Sequence, residues 1–141
     1  MNNQPFVIER EFDAPVAIVW DALTQKEHMK KWYFDLEEFK AIRGFEFVFT
    51  AGAEDMEYKH ICTVTEVVPN KKLDYSWRYE GYPGNSLVSF ELFDEDKKTK
   101  LRLTHVGLES FASAGPDFSV EKFAEGWTFI IGNSLKEFLE A

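Results

Sequence analysis

Few residues in this chain have both the type and the spacing to do chemistry. His105 stands two residues beyond Leu103 and four beyond Leu101, so in an extended strand its imidazole shares their apolar face. A histidine so placed is either a buried group bonded to backbone or an acid or base facing a pocket, because its ordinary pKa lies near neutrality. It is the candidate catalytic residue, and the sequence places no acid partner within its reach. Arg10 poses a similar question. Phe6, Ile8 and Phe12 share a face that also receives Arg10, and a guanidinium there needs a carboxylate, supplied by Glu66 or Glu91 on sheet neighbours or by a ligand. His60 and Cys62 lie two apart on one face, as the start of a metal site would. Only His28 and His105 remain as further nitrogen donors, at distant positions, so no metal site is expected. Cys62, in mid-strand, reads as a small core residue rather than a nucleophile. There is no Gly-x-Ser-x-Gly elbow, no phosphate-cradling glycine loop and no dinucleotide fingerprint, so no cofactor is expected.

The rings are more informative. Aromatic residues make up 16% of 141 positions, as 14 phenylalanines, 5 tyrosines and 4 tryptophans. A single ring on a strand is core. A whole set with hydrogen-bonding tips has the composition of a small-ligand pocket, which is mostly apolar with a few orienting polar groups. The candidate ligand-binding residues are Phe45, Phe47, Tyr75, Trp77, Phe90, His105, Phe123 and Trp127. A slip of one residue in any strand would exchange that strand's members of the set.

These residues need elements to position them. Phe6 to Phe12 alternates as a first strand. Asp13-Ala14-Pro15 offers a capping residue and a first-turn proline, followed by Val16, Val19, Trp20 and Leu23 at helical spacing. A second short helix within Thr24 to Phe34 turns Met29 and Trp32 inward and leaves Lys30 and Lys31 wet. From about Asp35 the period becomes two. Strands are expected over Leu36 to Ile42, Phe45 to Thr50, Tyr58 to Val68, Leu73 to Tyr79, Leu87 to Phe93 and Leu101 to Val106, with a polar loop over Gly52 to Glu57 and a turn over Gly81 to Asn85. After an irregular Gly107 to Phe118 segment, Ser119 caps a long helix whose inner stripe is Val120, Ala124, Trp127, Ile131, Leu135 and Phe138, widened by Phe123, Ile130 and Leu139. Gly126 in that helix should be compensated, by close packing or by room for a ligand. Tyr82, Pro83 and Phe111 are candidates to flank a cavity mouth. The fold class is α+β: a curved antiparallel sheet wrapped over a long C-terminal helix, in a single domain over residues 1–141.

That element order resembles the helix-grip arrangement of the START-like, birch-pollen-allergen-like (SRPBCC) superfamily, and its activator-of-heat-shock-ATPase-homologue branch in particular. The likeness is carried by Asp13-Ala14-Pro15 with Val19-Trp20, by Trp32, by Leu101-Arg-Leu-Thr-His105, and by Glu125-Gly126-Trp127. The resemblance implies a cavity between sheet and helix that takes a small apolar molecule, aromatic or lipid-like. A second reading is a chaperone-interacting module, although the chain has no room for the extra chaperone-contacting domain of the eukaryotic co-chaperone. The third is a cyclase or hydrolase with His105 as base. Fold alone decides none of these.

Charge excludes other partners. Against 16 basic residues stand 25 acidic ones, for a net charge of −9, and the basic runs Lys30-Lys31 and Lys97-Lys98 are two residues long. Nucleic acid and anionic membranes call for clustered cations, so neither is an expected partner. The expected partner is a small apolar molecule, with a chaperone or a second copy of the chain as protein partners. With no cationic leader and apolar block at its start, no apolar run near ~18 residues and one cysteine, a cytoplasmic location is expected.

Overall fold

The computed structural model describes residues 5–34, 36, 38–53, 56–114 and 119–140. Among them, six strands make one antiparallel sheet in the order β1-β6-β5-β4-β3-β2, where β1 is Phe6–Phe12, β2 Glu46–Ala53, β3 Met56–Val68, β4 Lys72–Tyr79, β5 Ser86–Glu95 and β6 Lys98–Val106. The meander from β2 to β6 needs only hairpins, and β1 closes on β6 with Phe6 opposite His105 and Phe12 opposite Thr99. Helices α1 (Val16–Thr24) and α2 (Lys26–Trp32) follow β1. The C-terminal helix has three parts: α3 (Val120–Phe129), a wider π-helical turn over Ile130–Leu135, and α4 (Lys136–Glu140).

Alternation decides which face of each strand is covered. Phe47 and Phe49 of β2, Leu73, Tyr75, Trp77 and Tyr79 of β4, Val88, Phe90 and Leu92 of β5, and Leu101, Leu103 and His105 of β6 are buried on the side facing the helix. The helix meets them with Phe123, Trp127, Ile131 and Leu135, each four residues after the last. In an α-helix a step of four overshoots a full turn by about 40°, so the stripe would drift off the sheet. The π-helical turn is wider and cancels part of that drift, which keeps Leu135 under the sheet.

The expected strand over Leu36 to Ile42 is absent among the described residues. The described ones, Leu36 and residues 38–42, take no regular structure, while Leu36 and Phe39 are buried and Phe39 packs edge-on against Phe47 of β2. The loop expected over Gly52 to Glu57 is shorter than the sequence implied, since β2 runs to Ala53 and β3 starts at Met56. Pro15, rather than Asp13, is the residue before α1, with no side-chain cap, and the Asp13 amide instead donates to a Glu140 carboxylate oxygen at 3.0 Å. Ser119 does cap α3, accepting from the Lys122 amide. Val120 is exposed, one turn too early to reach the sheet.

Gly126 corrects both sequence readings of it. A Cβ there would meet nothing within 4 Å, and the residue faces solvent. With neither packing nor ligand to demand glycine, Gly126→Ala is expected to stabilise the protein by about 1 kcal/mol through helix propensity, read as a raised urea midpoint. Gly84 is the opposite case. Its φ is +108°, and a Cβ would lie 2.5 Å from Phe111 Cδ1 and 2.6 Å from the Ser110 carbonyl oxygen. Gly84→Ala is therefore expected to lower the melting temperature by several degrees, through backbone strain and the clash together. A neutral result would mean that the Gly81 to Asn85 turn is not held against Phe111.

Candidate functional site

Rings dominate the layer between sheet and helix. Six of the expected site residues, Phe47, Tyr75, Trp77, Phe90, His105 and Trp127, are buried there, Phe123 sits at the edge with 9% exposure, and Phe45 is half-buried just before β2. Trp127 links the layers: its ring lies 5.5 Å from Trp77, 6.1 Å from Phe90 and 6.2 Å from Tyr33. Phe45 is more remote, reaching the shell through an edge contact to Phe39 at 6.2 Å, and Phe39 in turn meets Phe47 at 5.1 Å.

His105 is held by a directed chain. The Trp127 indole donates to His105 Nδ1 at 3.0 Å, which puts the ring proton on Nε2. Nε2 faces Ser86 Oγ at 2.8 Å, and the Ser86 hydroxyl donates onward to the Trp77 carbonyl at 2.8 Å. Every proton in the chain has an acceptor. Burial lowers the His105 pKa to about 3, so the ring is neutral at physiological pH. In this arrangement neither ring nitrogen is available to take a proton from a substrate, and His105 is a joint between β6, β5 and the helix.

Several members of the shell were not on the sequence-derived list. His60 stacks on Phe49 at 4.4 Å and meets Trp77 and Tyr79 edge-on, with Nδ1 2.9 Å from the Tyr58 carbonyl. Burial brings its pKa down to about 4. Phe49 was readable from the same alternation that selects Phe47. Tyr33 was not, since it follows the last residue of α2 with φ −120° and ψ −109° and so escapes helical spacing. Its hydroxyl lies 2.7 Å from that of Tyr75 across the interior. Trp77 Nε1 donates to the Tyr79 hydroxyl at 2.8 Å. Phe111 is fully buried against Tyr79 and Phe123 rather than exposed at a mouth, and Tyr82 is half-buried against Tyr58. Phe118 lies outside the described residues.

Arg10 departs from its expectation. It occupies the inner face of an edge strand where the helix surface, not the core, passes over it, so it is exposed, and its Nε approaches Gly132. It donates to the Glu9 carbonyl at 2.7 Å. Glu91 pairs instead with Arg102, which also binds Glu9, while Glu66 is exposed. Cys62 is fully buried, and desolvation pushes its thiol pKa far up, away from nucleophilic use. Among the described residues no group of three or more His, Cys, Asp or Glu is placed to hold a metal ion, and no helix is long and apolar enough to cross a membrane. An open groove of about 390 Å³ is lined by Gly132, Asn133, Lys136, Glu137 and Glu140 of the C-terminal helix. It is charged, and Lys136 and Glu140 pair within it at 2.6 Å, so it lacks the character of the ring shell.

Known proteins share this architecture. A solved structure from Mesorhizobium loti is 25% identical, with 97% of each chain covered and a TM-score of 0.77. One from Chromobacterium violaceum is 21% identical, covers 100% of this chain and 99% of its own, and has a TM-score of 0.80. Another, from Rhizobium loti, is 21% identical over 96% of each chain, with a TM-score of 0.83. No curated protein matches the chain. Residues 13–140 match the family described as activator of Hsp90 ATPase homolog 1-like protein. With that match over most of its length and the helix-grip architecture of the SRPBCC superfamily around its ring shell, the chain belongs to the activator of Hsp90 ATPase homolog 1-like family.

Proposed function

We propose that this protein binds a small hydrophobic molecule between the sheet and the C-terminal helix, among Phe45, Phe47, Tyr75, Trp77, Phe90, His105, Phe123 and Trp127. The observation that carries this reading is the continuous ring shell. Strands β2, β3 and β4, the end of α2 and the helix all contribute aromatic faces to one interior, and their polar tips point inward rather than to solvent. Such a surface offers dispersion and stacking to an apolar ligand and charges it little for desolvation. His105, with both ring nitrogens engaged, holds the wall in place and orients Trp127.

The test is native mass spectrometry and thermal shift with a panel of neutral aromatic and lipid-like compounds. Binding is expected to appear as a one-to-one adduct, a raised melting temperature and quenching of tryptophan fluorescence, since Trp77 and Trp127 are both in the wall. Absence of any adduct and any shift across the panel would defeat the proposal.

A further inference from the structure

We propose that the Tyr33–Tyr75 hydroxyl pair anchors an uncharged aromatic carbonyl compound, a flat ketone or quinone whose oxygen accepts the hydrogen that the pair does not use internally. The inference rests on the ligand-binding reading above and adds the ligand's chemistry to it. Two phenol hydroxyls carry two protons, and the 2.7 Å contact between them uses one. Neither oxygen has a second hydrogen-bond partner among the described residues. The neighbouring chain differs on this point: Trp127, His105 and Ser86 pass their protons along to the Trp77 carbonyl, leaving none over. A donor set among apolar rings gains more from an acceptor brought to it than one in open solvent does.

Burial, with the neighbouring phenol adding to it for Tyr33, pushes both pKa values well above the ordinary tyrosine range. Both groups therefore remain protonated donors at any physiological pH. The acceptor they suit is neutral. Among the described residues the buried polar side chains are His60, Asp74, Ser86, Thr99 and His105, with no lysine or arginine, and the two histidines are uncharged at neutral pH. A carboxylate would lose its hydration and find no cation. The rings beside the pair call for a flat partner: Tyr33 packs on Phe49 and Trp127, and Tyr75 on Phe47 and Phe90.

The experiment uses three probes of one shape: fluorene, 9-fluorenone and fluorene-9-carboxylate. In fluorescence titrations at pH 7.5, the wild-type protein is expected to bind fluorenone roughly three- to tenfold more tightly than fluorene, the worth of one hydrogen bond, and the carboxylate least. The double variant Tyr33→Phe/Tyr75→Phe should keep its affinity for fluorene and lose the preference for fluorenone. The infrared carbonyl band of fluorenone bound to wild type should lie at lower wavenumber than in hexane, a readout that does not depend on the variant folding. Equal wild-type affinities, a preference that survives the double substitution, or a carbonyl band at its hexane position would each overturn the anchor while leaving the binding reading intact. Failure of all three probes to bind would overturn both.

Discussion

Replacing Trp127 by alanine is expected to lower the free energy of unfolding by about 3–5 kcal/mol, the usual range for removing a large buried ring. Trp127 is 3% exposed and touches rings from β4, β5 and the end of α2, so no single neighbour can relax into the space it leaves. The substitution also removes the donor to His105 Nδ1, stranding a buried acceptor. Trp127→Phe separates the two effects. It keeps an aromatic ring in the wall while removing the N–H and about a third of the indole's ring atoms, so a smaller loss, about 1–2 kcal/mol, is expected from urea unfolding. Equal losses for the two variants would assign the stability to the hydrogen bond, and an alanine loss below about 1.5 kcal/mol would mean the indole faces open space over most of its surface.

Trp127 also shows where the sequence was readable. Its position in a stripe of period near 3.6, and the period of two along Leu73, Tyr75, Trp77 and Tyr79, each follow from geometry that any helix or strand obeys. These were enough to predict the sheet, the long helix and the inward side of His105. Arg10 was misplaced because alternation gives the face of a strand but not what lies over it. At the edge of the sheet, Arg10 lies beside Gly132 of the helix, while Ile8 and Phe12 on the same face of β1 enter the core. Gly126 was misread for a related reason: one residue before Trp127 is a quarter-turn away, which on this helix is already solvent. The chain Trp127–His105–Ser86 was out of reach because its hydroxyl, Ser86, has no period that marks it. It joins the chain through strand register, β5 lying between β4 and β6. Tyr33 was hidden by the irregular backbone that swings it inward, and with it went the polar pair that gives the proposed pocket its chemistry.

The two buried histidines should make the protein sensitive to mild acid. Burial lowers the pKa of His105 to about 3 and of His60 to about 4, against 6.5 for an unhindered imidazole. Between pH 6.5 and 4 the unfolded chain therefore binds protons that the folded protein does not. Stability is complete above pH 6.5 and is lost as pH falls through that window. Each histidine contributes about 1.4 kcal/mol per pH unit there, so together they remove about 4 kcal/mol by pH 5. The lowered carboxyls of Glu9 and Glu140 act in the same direction but only below their ordinary value of 4.5, so they leave the upper part of the window to the histidines. Urea midpoints are expected to be level from pH 8 to 7 and to fall steeply from 6.5 to 5. His60→Phe retains a ring against Phe49 and removes one titration, so its slope across that window should be half that of wild type. A wild-type profile that stays flat down to pH 5 would show that water reaches both imidazoles, and that the ring shell is open where His60 and His105 stand.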